Sequence, residues 1–157
     1  MRPFVVLAAA LPLIGAGPAL GQVTFKRCLT EAEVKVEKLV RHGIFLREGG
    51  NRCDADYNPG TARMWKDFDT RFGPRLAQQT ARRKKVFERE FKDKAVEVMT
   101  YFDGRLVTYY RYYPLSVAYC GQVDKLLKEA TAKGWNSFSR QSEIVLADVV
   151  QDLKICR

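Results

Sequence analysis

The stretch RLVTYYRYYPLSVA, residues 105–118, decides the fold. Its first half has strand character: a β-branched pair, Val107 and Thr108, and four tyrosines, Tyr109, Tyr110, Tyr112 and Tyr113. A strand needs a partner, and the rest of the chain offers no second convincing strand. The segment therefore reads as helix, with Pro114 at a kink or a new first turn. Beyond it Leu115, Ala118, Tyr119, Val123, Leu126, Leu127 and Ala130 recur at helical spacing, and Gly134 is a good stop.

Outward from there the spacing is helical almost everywhere. A first helix is predicted over 30–47, opened by a Thr30/Glu33 capping box, striped by Val36, Leu39, Val40, Ile44 and Phe45, and ended by Gly49-Gly50. The polar run 51–60, NRCDADYNPG, reads as a loop. A short helix follows, with Asn58 as cap and Pro59 in its first turn. It carries Met64, Trp65, Phe68 and Phe72 and stops at Gly73-Pro74. A long helix over 74–102 carries Leu76, Thr80, Phe87, Phe91, Ala95, Val98 and Phe102, with a gap at Lys84 and a turn at Asp103-Gly104. A last helix starts near Ser139 and carries Leu146, Val149, Val150 and Leu153. The expected fold is all-α: a disulfide-stapled bundle of four main helices plus one short helix.

The first 21 residues, MRPFVVLAAALPLIGAGPALG, have the form of a cleaved secretory signal. Arg2 is the charged start, Phe4 to Gly15 the apolar run, and Ala19-Leu20-Gly21 the cleavage site. The run is too short to span a bilayer and is interrupted by Pro12. No later segment is a candidate transmembrane span. Residues 22–157 then form one helical domain of a secreted protein, with the style of a bacterial periplasmic one. A lipid anchor at Cys28 is not expected, because Phe25-Lys26-Arg27 is not a small, apolar approach to it.

Export makes Cys28, Cys53, Cys120 and Cys156 two disulfides by default. No C-x-x-C is present, so thioredoxin-like chemistry and c-type haem are excluded. A first helix of this length spans about 27 Å, and only about 20 Å of extended chain could return Cys53 to Cys28. In an up-down-up-down bundle Cys28 and Cys156 share one end and Cys53 lies at the other. That geometry favours Cys28–Cys156 and Cys53–Cys120.

Lys and Arg number 27 against 18 Asp and Glu, a net charge of +9. Such a balance suits nucleic acid, but export removes that partner, so an anionic envelope component or a protein partner is expected instead. The segment RRKKVFEREFKDK, 82–94, reads as a solvated helix face with Glu88/Lys92 and Glu90/Lys94 pairs. The alternative reading is a basic patch for lipid or lipopolysaccharide phosphates. His42 is the only histidine. Without a nucleophile motif beside it, it reads as an ordinary surface or half-buried residue. Asn51, Asp54, Asp56 and Asn58 resemble a calcium loop only weakly, lacking the glycine and bidentate glutamate of an EF-hand. No metal or cofactor is expected.

The dense tyrosines offer the most promising surface. Arg105, Tyr109, Arg111, Tyr112, Tyr113 and Tyr119 are the candidate binding residues: aromatic planes with guanidinium groups at the rim. The expected function is a chaperone- or adaptor-like binding protein. The competing expectation is a peptidoglycan hydrolase working through one glutamate, Glu48 or Glu143. Carboxylates two apart along a helix, such as Asp67/Asp69, do not converge on a substrate.

Overall fold

The computed structural model describes residues 25–145, 153, 155 and 156. The expected signal sequence and the positions Leu146, Val149 and Val150 lie outside the described residues. Among the described residues there are five α-helices, α1 (Glu31–Asp56), α2 (Thr61–Phe91), α3 (Ala95–Tyr112), α4 (Val117–Lys133) and α5 (Trp135–Val145). The all-α, disulfide-stapled bundle is the fold.

Helix α1 starts as its sequence indicates. The Glu33 amide donates to Thr30 Oγ1 (3.3 Å) and the Thr30 amide to Glu33 Oε2 (2.8 Å). It does not end at Gly49-Gly50, however, but runs on to Asp56. These glycines serve approach rather than termination. A Cβ on Gly49 would lie 2.9 Å from Val123 Cγ2 and 3.1 Å from the Tyr119 hydroxyl. One on Gly50 would lie 3.2 Å from Leu127 Cδ1 and 3.3 Å from the Thr61 carbonyl oxygen. Removing two side chains lets α4 and the start of α2 close onto α1.

The supposed polar loop is therefore mostly helix. Asp54 Oδ1 accepts from the amides of Gly60 (2.8 Å) and Ala62 (3.0 Å). It caps α2, whose own N-cap, Gly60 at φ 99°, has no side chain to do so. That use overturns the calcium reading of Asn51, Asp54, Asp56 and Asn58. Among the described residues no group of three or more metal-binding side chains is found.

Two expected helices merge into α2, 31 residues long, which passes through Gly73-Pro74 without stopping. Pro74 is exposed, so water can satisfy the carbonyl that loses its amide partner. The reversal comes instead at a 3₁₀ turn, Lys92–Lys94, where Lys92 takes φ 50°. A lysine there carries none of the glycine signature of a turn, so the sequence pointed elsewhere. Helix α3 then continues through Asp103-Gly104, the predicted turn. The helical reading of residues 105–112 holds, and Pro114 lies in the short break before α4, which Ser116 caps by accepting from the Tyr119 amide (3.1 Å). Gly134 at φ 73° ends α4, and α5 begins at once at Trp135, four residues before the expected Ser139.

The termini of the bonds show the layout. Helix α2 runs antiparallel to α1, with Thr61 at Gly50, Arg83 at Glu37 and Arg89 at Glu33. Helix α3 turns back along both. Helices α4 and α5 together form the fourth leg, so His42 meets Phe138 and Lys35 meets Glu143. Cys53 is bonded to Cys120 at one end of the bundle and Cys28 to Cys156 at the other, the pairing favoured by helix length. Beside the second bond, the Cys156 amide donates to the Leu29 carbonyl (2.9 Å).

Two apolar clusters fill the interior. The larger holds Leu46, Phe68, Val123, Leu127 and Phe138, and the smaller holds Phe25, Leu29, Phe87, Val98 and Phe102. Between them α1, α2 and α3 bury an ionic layer. Glu37 Oε1 accepts from Arg41 Nε (2.6 Å) and Oε2 from Arg83 Nε (2.6 Å), while Arg83 Nη1 reaches Asp103 Oδ1 (2.6 Å). Burial opposes ionisation of Glu37, but the Arg83 and Arg41 guanidiniums outweigh it and hold the carboxyl below the ordinary range.

The glycines give a test of opposite signs. Gly49→Ala gains helix propensity but meets Val123, and is expected to lower unfolding free energy by about 1–3 kcal/mol. Gly104→Ala, with open space around its Cβ, is expected to raise it by about 0.5–1 kcal/mol. Urea unfolding of both variants checks this, and shifts of the same sign would contradict the packing role of Gly49.

Candidate functional site

The C-terminal end of α3 carries the tyrosines. Its last carbonyls are gathered by one cation from α1: Arg52 Nη1 donates to the Tyr110 carbonyl and to the Tyr113 carbonyl (2.8 Å). That clamp fixes where the tyrosine rings stand. Tyr110 turns inward against Phe45, with ring centroids 5.3 Å apart, and burial pushes its hydroxyl up to about 12. Tyr109, Tyr113 and Tyr119 form a ladder, with centroids 5.7 Å apart between the first two and 5.0 Å between the last two. Tyr119 meets Phe45 edge-on at 6.0 Å, so the ladder runs from solvent into the core. Burial also raises the Tyr119 hydroxyl.

The outward side of this end is apolar and open. Tyr112 is 83 % exposed, Tyr109 56 % and Val117 78 %. One turn earlier Arg105 lies over the Tyr101 ring at 5.9 Å. Tyr101, Gly104, Arg105, Thr108 and Tyr109 line a shallow depression of about 580 Å³.

Of the six candidate residues, Tyr109, Tyr113 and Tyr119 are brought into one stack. Arg105 stands beside them and Tyr112 projects outward. Arg111 instead pairs through Nε with Glu48 Oε2 (3.3 Å). Tyr101 extends the same surface and was not among the residues singled out by sequence. Its position eight residues before Tyr109 on one continuous helix supplied the signal, which the expected turn at Asp103-Gly104 concealed.

The glutamates expected for hydrolysis are engaged otherwise. Glu48 is buried and has both oxygens on guanidiniums, Oε1 on Arg47 Nη2 (2.9 Å) and Oε2 on Arg111. Glu143 lies on an exposed rim, paired with Lys35 at 3.5 Å.

The basic segment also differs from its expected pairing. Glu88 pairs with Lys84 (3.4 Å) rather than Lys92, because α2 ends before Lys92 could complete the turn. Glu90 accepts from the amides of Lys26 (3.2 Å) and Arg27 (3.0 Å) and pairs with Arg89, tying the start of the described chain to α2. Arg83 is not solvated at all but is part of the buried ionic layer.

His42 is fully buried rather than at the surface. Its Nε2 lies 3.2 Å from Gln141 Oε1, and Gln141 Nε2 donates to the Leu126 carbonyl (3.1 Å). With the amide oriented so, Nε2–H is the donor and the ring is neutral. Burial pushes the imidazole down to about 4, against a smaller opposing effect from Gln141. It joins α1 to α5 as a packing element.

The sign of the resulting pH dependence follows. The folded value lies below the 6.5 of the unfolded chain, so the unfolded state takes up the proton first. The stabilisation is complete above about pH 6.5 and is lost as pH falls toward 4, amounting to about 3 kcal/mol. Wild-type protein is expected to lose stability over that interval, measured by urea unfolding at pH 7.5, 5.5 and 4. In His42→Gln the part of the slope between pH 6.5 and 5 is expected to vanish. An unchanged slope there would contradict the assignment.

Set against known families, curated proteins and solved structures, the chain matches no family model, no curated protein and no solved structure at a significant level.

Proposed function

We propose that this chain is an exported, periplasmic binding protein, adaptor- or chaperone-like, that docks a protein partner on the Tyr/Arg face at the end of α3. The observation that carries the reading is the exposed aromatic surface backed by a rigid ladder. Tyr109 and Tyr112 expose large apolar area that a free monomer gains nothing by exposing. Tyr113, Tyr119 and Phe45 hold that surface against the core, so little ordering remains to be done on binding. Tyrosine and arginine are the side chains that concentrate binding energy at protein interfaces. Arg105 and the net charge of +9 favour an acidic partner surface. Two disulfides fit an oxidising, extracytoplasmic compartment, and no described helix is long and apolar enough to cross a membrane.

The test is site-specific photocrosslinking in cells, with benzoylphenylalanine at Tyr112 and, as control, at the exposed Lys66 on α2. A discrete protein adduct at position 112, absent at 66, is expected. The purified partner should then bind Tyr109→Ala/Tyr112→Ala at least about tenfold more weakly. Crosslinks only to lipid or glycan would replace the protein partner with an anionic envelope component. Equal crosslinking at both positions, or unchanged affinity of the double variant, would overturn the reading. So would cell-wall hydrolysis that disappears in Glu48→Gln.

A further inference from the structure

Away from the tyrosines, three helices turn one stripe each into a common cleft of about 700 Å³. Helix α2 supplies Arg75, Gln79 and Arg82, spaced four and three residues apart so that they share a face. Helix α5 supplies Trp135 and Arg140, and α1 supplies Lys35. Four cations thus face one space, and among the described residues the one carboxylate lining it is Glu143.

That carboxylate is already shared with Lys35 at 3.5 Å, and both groups are more than half exposed, so it offsets little of the remaining charge. Among the described residues no carboxylate pairs with Arg82 or Arg140. The contrast with the rest of the molecule is marked. Arg41 and Arg83 share Glu37, Arg47 and Arg111 share Glu48, and Arg89 has Glu33 and Glu90. The cleft is where guanidiniums converge without such partners.

Arg75 is also held in place. Its guanidinium carbon lies 4.7 Å from the centroid of the Trp135 ring, a stacking that leaves the N–H edges available. Trp135 is itself buried, packed against Phe138 and Phe72, so the platform is fixed by the core. Gln79 is buried in the cleft wall and adds a neutral donor and acceptor.

We propose that this cleft binds a small phosphate-bearing ligand. A lone carboxylate would satisfy only part of three guanidiniums and an ammonium. A phosphomonoester or pyrophosphate carries more charge and presents several oxygens that planar guanidinium forks engage in pairs. The volume is that of a small-molecule site. The site is separate from the tyrosine face and does not depend on the function assigned to it. Two sources share the chemistry: a soluble phosphate ester, or the phosphorylated headgroup of a lipid.

Calorimetric titration of the oxidised full chain at 150 mM salt tests the proposal, with inorganic pyrophosphate as one probe. The second probe is a vesicle of phosphatidylcholine carrying phosphatidic acid, with pure phosphatidylcholine as its blank. Pyrophosphate is expected to bind, and Arg82→Ala/Arg140→Ala to weaken it at least about tenfold. Both residues are exposed and lie outside the ionic layer, so the variant should keep the wild-type circular dichroism. Arg82→Lys/Arg140→Lys, which keeps charge but loses the fork, should fall between. Phosphatidic-acid vesicles that bind, depend on the same arginines and are displaced by pyrophosphate would identify the source as a headgroup. Vesicles that fail to bind while pyrophosphate binds would identify it as a soluble ester. No binding of either probe at millimolar concentration would overturn the proposal. So would binding that is indifferent to the double alanine variant.

Discussion

Glu37 is the constraint around which the bundle is arranged. A carboxylate 2 % exposed is tolerable only with its countercharges in place. Those come from its own helix through Arg41 and from the antiparallel neighbour through Arg83, which in turn binds Asp103 on the third helix. Sliding any of the three helices by one turn would strand a buried charge. Such a layer adds little net stability compared with well-packed apolar residues, because desolvation offsets most of the attraction. Its effect is to select one register of α1, α2 and α3 from the several that apolar packing alone would allow. The two apolar clusters above and below it then fall into place as separate cores.

The disulfides act on the other degree of freedom, the path of the fourth leg. Helices α4 and α5 are joined by a single glycine, Gly134, and change direction there. Cys53–Cys120 fixes the start of α4 on the end of α1, and Cys28–Cys156 returns the tail to the opposite end. Gly49 and Gly50 let α4 approach closely enough for the first bond. The buried His42–Gln141 pair fixes α5 along α1 between the two bonds. The surface at the end of α3 inherits this rigidity through Arg52 and the tyrosine ladder, while the cationic cleft inherits it through Trp135.

Much of this was legible in the residues, and the misreadings have a common physical origin. Helical class, the Thr30 capping box and the cysteine pairing follow from spacing and chain length. Helix limits failed where glycine and proline were read as punctuation. Gly49, Gly50 and Gly43 are small because another helix presses on them, Leu76 Cδ2 standing 2.9 Å from where a Gly43 Cβ would be. The real reversal, at Lys92, has no such residue. The gap noted at Lys84 is closed by Arg83, which falls on the stripe Leu76, Thr80, Arg83, Phe87. Glu37 likewise continues the stripe toward Arg41 and Ile44. A charge at a core position reads as an interruption until its countercharge on another helix is known, and pairing across helices is not written in local periodicity. The cationic cleft was hidden for the same reason, since its arginines lie on helices whose neighbours only the fold reveals.

The most direct test of the ionic layer is a double-mutant cycle on Glu37 and Arg83, using Glu37→Leu, Arg83→Met and the pair together, with unfolding free energies from urea denaturation. Each single substitution takes one countercharge from a buried group, leaving Glu37 with Arg41 alone or Arg83 with Asp103 alone, and is predicted to cost about 3–5 kcal/mol. The double variant should cost far less than the sum, with a coupling of about 2 kcal/mol or more. Additive effects would show that the two charges do not depend on each other, and would contradict the account.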